Sequence, residues 1–116
     1  MRTLVIVDDH AGFRTWAGEA LGQEGFDVVG LVDSGAAAIQ AVDRLRPEVL
    51  LLDVQLPDMT GFEVADAVAD RTTVVLTSSR AAADYGRRVA DSRASGFVAK
   101  SELSGARLAQ VADGSP

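Results

Sequence analysis

Five residues of this chain carry side chains suited to handling a charged oxyanion: the doublet Asp8-Asp9, then Asp53, Thr77 and Lys100. Brought together, three carboxylates repel one another and raise their pKa values. A divalent cation held by oxygens relieves that repulsion, and Mg²⁺ favours carboxylates together with water. Lys100 adds a second positive charge, and Thr77 adds a hydroxyl donor. Cation, ammonium and hydroxyl around a carboxylate able to act as nucleophile make a site suited to a phosphoryl group. Each residue has a plainer explanation when taken singly. Asp8-Asp9 could favour the start of a following helix, Thr77 could be a buried strand residue, and Lys100 could be a solvated end. Yet Lys100 is the only Lys of a chain with ten Arg.

The elements that must position these residues can be read from the apolar pattern. Asp53 closes the run Val49-Leu50-Leu51-Leu52, which is bounded by Pro47 before and by a loop with Pro57, Asp58 and Gly61 after. Such a run reads as a strand buried on both faces, and strands of that kind belong to helix-covered parallel sheets. Ligands of open α/β sheets bind outside the carboxyl ends of the strands. The pattern predicts further strands over 2–7, 26–32, 72–76 and 95–99. Helices are expected over 10–24, 36–45, 61–70, 81–91 and 102–112, with Gly25 ending the first, Ser34 capping the second and Ser101 capping the last. Gly86 falls inside the helix over 81–91 and weakens it by roughly 1 kcal/mol relative to Ala. Strict β-α alternation implies a parallel sheet with helices on both faces and right-handed crossovers, a three-layer α/β sandwich. Asp8, Asp9, Asp53, Thr77 and Lys100 then converge on one sheet edge, each following a strand of the same polarity.

Composition bounds the function. A chain of 116 residues suggests one domain. Its 47% hydrophobic content argues against a disordered chain. The net charge of -6 argues against a nucleic-acid surface on this segment. The chain has no Cys and a single His, His10, so thiol chemistry and multi-histidine metal sites are excluded. No stretch has the length of a membrane span and no signal-peptide pattern opens the chain, so the expected location is cytoplasmic.

The stretches Val5-Ile6-Val7-Asp8-Asp9-His10, Leu51-Leu52-Asp53-Val54-Gln55-Leu56-Pro57-Asp58-Met59-Thr60-Gly61, Val75-Leu76-Thr77-Ser78-Ser79 and Gly96-Phe97-Val98-Ala99-Lys100 resemble the receiver domain of bacterial two-component response regulators. The resemblance spans nearly the whole chain. It implies a flavodoxin-like fold with a five-stranded parallel sheet in the order 2-1-3-4-5 and five helices. That order puts Asp33 on an edge strand, outside the site. The resemblance also implies roles. Asp53 is the expected phosphoacceptor, receiving its phosphoryl group from a sensor histidine kinase. Asp9 should ligate Mg²⁺ directly, Asp8 largely through water, and Asp53 and the backbone carbonyl of Gln55 complete the protein ligands. Thr77 is the expected switch hydroxyl, Lys100 the phosphate-pairing lysine, and Phe97 the switch aromatic. The plainer account of Phe97 is a core residue. The side chains of Gln55 and Ser79 match positions that tune phosphate lifetime.

The resemblance further implies autodephosphorylation and an output through the fourth helix, fifth strand and fifth helix. A phosphorylation-dependent homodimer is the expected association. Asp9-His10 and the Leu-Thr-Ser-Ser ending resemble the subfamily with a C-terminal helix-turn-helix DNA-binding domain. Residues 1–112 are expected to form the receiver unit and 113–116 a tail or the start of a linker. Two readings of that tail stand side by side, a chain stopping at a linker and a single-domain regulator. The 24 residues from Asp53 to Thr77 are a short span for the family, so the helix over 61–70 or its loops should be trimmed. A phosphohydrolase with an aspartyl nucleophile is a competing class, but it needs a catalytic acid two residues after the nucleophile, where this chain has Gln55. A degenerate receiver is a third class, and the five intact positions argue against it.

Overall fold

A computed structural model describes residues 1–114. Five strands, β1 (Arg2–Val7), β2 (Phe26–Val32), β3 (Val49–Asp53), β4 (Thr73–Ser78) and β5 (Gly96–Ala99), form one sheet in the order β2-β1-β3-β4-β5. Every pairing is parallel. The helices are α1 (Ala11–Gln23), α2 (Gly35–Leu45), α3 (Gly61–Val68), α4 (Arg88–Asp91) and α5 (Gly105–Ala112).

Side chains alternate across a strand, and here both faces are apolar because both are covered. Val5, Val7, Leu50, Leu52, Val74 and Leu76 pack on α2 and α3 through Ala38, Val42, Val64 and Val68. Leu4, Ile6, Val49, Leu51, Val75 and Val98 pack on α1 and α5 through Ala17, Leu21, Leu108 and Val111. The central strands are therefore continuous apolar runs, and β3 is buried along its whole length. The edge strand β2 alternates exposed positions with half-buried ones, and only Phe26 is buried.

The helix starts follow local chemistry. Ser34 accepts from the backbone N–H of Ala37, as expected of a cap. Thr60 and Glu63 form a reciprocal capping box at the start of α3. Gly25 takes a φ of 105° just after α1, a left-handed position that suits Gly.

Four expectations need correction. The helix over 81–91 is instead a 3-10 turn, Ala82–Tyr85, and the four-residue α4. Gly86 between them has φ 60° and ψ -129°, outside any helix. The last helix does not start at 102 under a Ser101 cap. Residues Lys100–Glu102 form a 3-10 turn, Leu103 is extended, and Ser104 caps α5 by accepting from Arg107 N–H. The third helix ends at Val68, short of residue 70, and β4 runs two residues past its expected end to include Thr77 and Ser78. Of the expected tail, Asp113 closes α5 and Gly114 has a positive φ of 79°, while 115–116 lie outside the described residues.

Candidate functional site

Strand parity builds the site. The residues of β1, β3, β4 and β5 that face α1 and α5 include Ile6, Leu51, Val75 and Val98. Two positions further along each strand come Asp8, Asp53, Thr77 and Lys100, at the carboxyl edge of the sheet. The alternation therefore carries all four to the same side. Register aligns them, with Asp53 opposite Thr77 and Thr77 opposite Val98.

The carboxylates are held close. One donor atom from each of Asp8, Asp9, His10 and Asp53 lies within 4.8 Å of the others. Asp8 is fully buried, Asp53 is 5% exposed, and Asp9 is open to solvent. Lys100 reaches in from the turn after β5. Its Nζ lies 2.6 Å from Asp8 Oδ2 and 3.6 Å from Asp53 Oδ2. The same ammonium sits 4.3 Å from the centre of the Phe13 ring on α1, so an aromatic face adds to its hold.

Burial pushes the Asp53 carboxyl up to about 6, the nearby charge of Asp8 adds to the rise, and Lys100 opposes both. Burial also acts to raise Asp8. There the hydrogen bonds from Lys100 and the His10 backbone, with the Lys100 charge, win and hold the group below its usual range. The two carboxyls therefore diverge, one kept ionised and one resisting ionisation.

Loops fix the remaining geometry. The Gln55 N–H donates to Asp53 Oδ1 at 3.3 Å, so its peptide lies beside the carboxylate. Gly61 N–H donates to the Val54 carbonyl, and a Cβ on Gly61 would collide with the Asp53 carbonyl oxygen. Arg14 donates to the Asp8 carbonyl at 2.7 Å. Asp58 accepts from the N–H groups of Gly35 and Ala36 at 2.8 and 2.9 Å, tying the loop after β3 to the start of α2.

Thr77 is buried and its hydroxyl donates to the Val98 carbonyl at 2.6 Å, toward β5. Phe97 is half-buried on the opposite sheet face, beside Tyr85 with ring centres 6.2 Å apart. Tyr85 in turn shares a hydrogen bond of 2.7 Å with Ser78. Ser79 is exposed at the mouth of the edge, and Asp33 is exposed and outside the carboxylate cluster. His10, Phe13, Arg14, Asp58 and Tyr85 had no assigned part in the site from the sequence. His10 alone carried a signal, since it follows the acidic doublet directly.

A family model described as a response regulator receiver domain matches residues 4–112. The chain is 34% identical to the signal receiver domain of the response regulator NarL from Mycobacterium tuberculosis, with a TM-score of 0.83 over 95% of each chain. A DNA-binding response regulator of the LuxR family from Staphylococcus aureus superposes with a TM-score of 0.86 over 98% of each chain at 19% identity, a likeness of fold. The DNA-binding transcriptional activator EvgA from Escherichia coli K12 is 28% identical over 101 residues, covering 84% of this chain and 50% of the relative. The chain thus spans about half the length of the first curated relatives it matches.

Proposed function

Because the chain belongs to the response regulator receiver domain family, we propose that it is the phosphorylation-controlled switch of a two-component system, accepting a phosphoryl group on Asp53 from a sensor histidine kinase. The observation that carries this reading is the Lys100 ammonium set between the carboxylates of Asp8 and Asp53 at the carboxyl edge of the sheet.

The residues present fit a divalent ion. Asp8 Oδ2 is buried with the Lys100 ammonium as its one partner, and hard oxygen donors crowd around it. Asp9 and Asp53 would hold Mg²⁺ directly, Asp8 largely through water, and the Gln55 carbonyl would complete the set. Mg²⁺, when bound, offsets the charge of the carboxylates and of the incoming phosphoryl oxygens. In the transfer, an Asp53 oxygen forms a bond to phosphorus while the phosphorus–nitrogen bond of the kinase phosphohistidine breaks. The bonding pair returns to the imidazole. Lys100 then turns from Asp8 toward the phosphoryl oxygens. Thr77 exchanges the Val98 carbonyl for a phosphoryl oxygen, and Phe97 repacks in response. Water later cleaves the acyl phosphate, with Gln55 and Ser79 setting its access. The chain is an enzyme only toward itself.

Residues 1–112 act as the receiver unit, with 113–116 as tail or linker, in the cytoplasm. No helix among the described residues is long and apolar enough to cross a membrane. The output is control of transcription, reached through a phosphorylation-dependent homodimer or partner near Phe97, without direct nucleic-acid contact by this acidic segment. Adding beryllofluoride and Mg²⁺ to labelled protein tests the switch. Amide signals of Thr77, Phe97 and Lys100 should shift together, and shifts confined to surface residues far from Asp53 would refute it.

A further inference from the structure

Three carboxylates leave one donor of the cluster without a task. His10 is the residue at the N-terminal boundary of α1, yet its side chain makes no capping bond to that helix. Its ring turns back to the acidic doublet, with Nδ1 3.1 Å from Asp9 Oδ1 and 3.2 Å from Asp8 Oδ1. Around an octahedral ion with bonds of about 2.1 Å, adjacent donors stand about 3.0 Å apart and opposite donors about 4.2 Å. The spacing to Asp9, the direct carboxylate ligand of the pair, is that of adjacent donors. The four-residue set, within 4.8 Å throughout, needs to close by only about half an ångström to match the opposite-donor spacing.

Two further observations point to a ligand there. Asp8 Oδ2 is fully buried beside this set, and its one partner is the Lys100 ammonium 2.6 Å away, which an arriving ion can relieve. The His10 side chain is 73% exposed, so an ion can arrive from solvent and displace the contacts between ring and carboxylates.

We infer that His10 is a nitrogen ligand of this ion site and biases it toward first-row transition ions, such as Co²⁺, relative to Mg²⁺. The inference rests on the divalent-ion reading above and adds a residue and a selectivity to it. The chemical reason is softness. Mg²⁺ is a hard ion that takes oxygen and keeps its waters. Imidazole nitrogen binds borderline ions well, and affinity rises along the first row from Mn²⁺ to Cu²⁺. A carboxylate trio alone follows that order weakly, and one imidazole steepens it. The competing account is that the ring only hydrogen-bonds Asp8 and Asp9 and orients them.

Titration of the full chain with Mg²⁺ and, separately, Co²⁺ distinguishes the two. Trp16 reports binding, because its ring centre is 6.0 Å from that of Phe13, which underlies Lys100. The unaltered chain is compared with His10→Ala and with His10→Gln, which keeps a hydrogen-bonding side chain. The Co²⁺-to-Mg²⁺ affinity ratio should fall by about tenfold in both variants. Proton spectra of the Co²⁺ form should show one far-downfield exchangeable ring N–H, absent from both variants. An unchanged ratio, or no such signal in the unaltered chain, overturns the inference and leaves the oxygen site standing. Failure of the unaltered chain to bind Mg²⁺ at all overturns the oxygen site and the inference with it.

Discussion

The Thr77 hydroxyl donates its hydrogen to the Val98 carbonyl, 2.6 Å away, and both residues are buried. This bond ties β4 to β5 through a side chain, and it must break before Thr77 can serve a group on Asp53. Thr77→Val keeps the shape, removes the donor and leaves the carbonyl without this bond. The expected loss of stability is about 1–3 kcal/mol, read by urea unfolding. The same variant should lose the beryllofluoride-dependent shift of Phe97. Parent stability together with a parent shift would show that the bond neither holds the strands nor gates the switch.

Asp53 sets a second expectation through its carboxyl, raised from 3.8 to about 6 chiefly by burial. The folded value lies above the ordinary one, so the fold favours the neutral form. The contribution of this group is fully present below about pH 4 and is lost as pH rises to about 6. Without divalent ions, Asp53→Asn should therefore stabilise the protein by roughly 1–3 kcal/mol above pH 6, with a gain that vanishes toward pH 4. Denaturant midpoints at the two ends of that range check it. A gain that grows toward acid would contradict the sign.

Gly61 makes close approach a requirement. A Cβ there meets the carbonyl oxygen of Asp53 and the Cα of Val54, and both are backbone atoms that cannot swing aside. Gly61→Ala should cost about 2 kcal/mol or more in stability. It should also displace Asp53 enough to weaken Mg²⁺ binding, which calorimetry would measure. An Ala variant as stable and as competent as the parent would mean that the loop relaxes freely.

Lys100→Arg preserves charge but not shape. The ammonium fits between Asp8, Asp53 and the Phe13 ring, whereas a guanidinium is a wide planar fork. Some phosphorylation of Asp53 should persist, while the Thr77 and Phe97 shifts weaken. Full parent shifts in this variant would reduce Lys100 to a generic positive charge.

Much of the sheet was legible because its strands are bounded apolar runs, and the shortness of Val49 to Leu52 between Pro47 and the following loop favours a doubly covered strand over a buried helix. Asp8, Asp53, Thr77 and Lys100 were legible for a related reason: each lies at or just past the carboxyl end of a parallel strand, so topology brings them to one edge. The helix over 81–91 misled because its apolar spacing continues through Gly86, while the backbone there takes a positive φ that spacing cannot reveal. Ser101 and Ser104 are both credible caps, and only the extended Leu103 between the turn and α5 decides for Ser104. Asp58 bonded to Gly35 and Ala36, and Lys100 over Phe13, join residues far apart in sequence, with no periodicity to announce them.

Trapping the acyl phosphate is the most direct measure of the central claim. The protein is incubated with acetyl phosphate and Mg²⁺, reduced with borohydride and mapped by peptide mass. The expected result is a single reduced site at Asp53, lost with EDTA and lost in Asp53→Asn. An adduct at another residue, or one formed at the parent level in Asp53→Asn, would contradict the account.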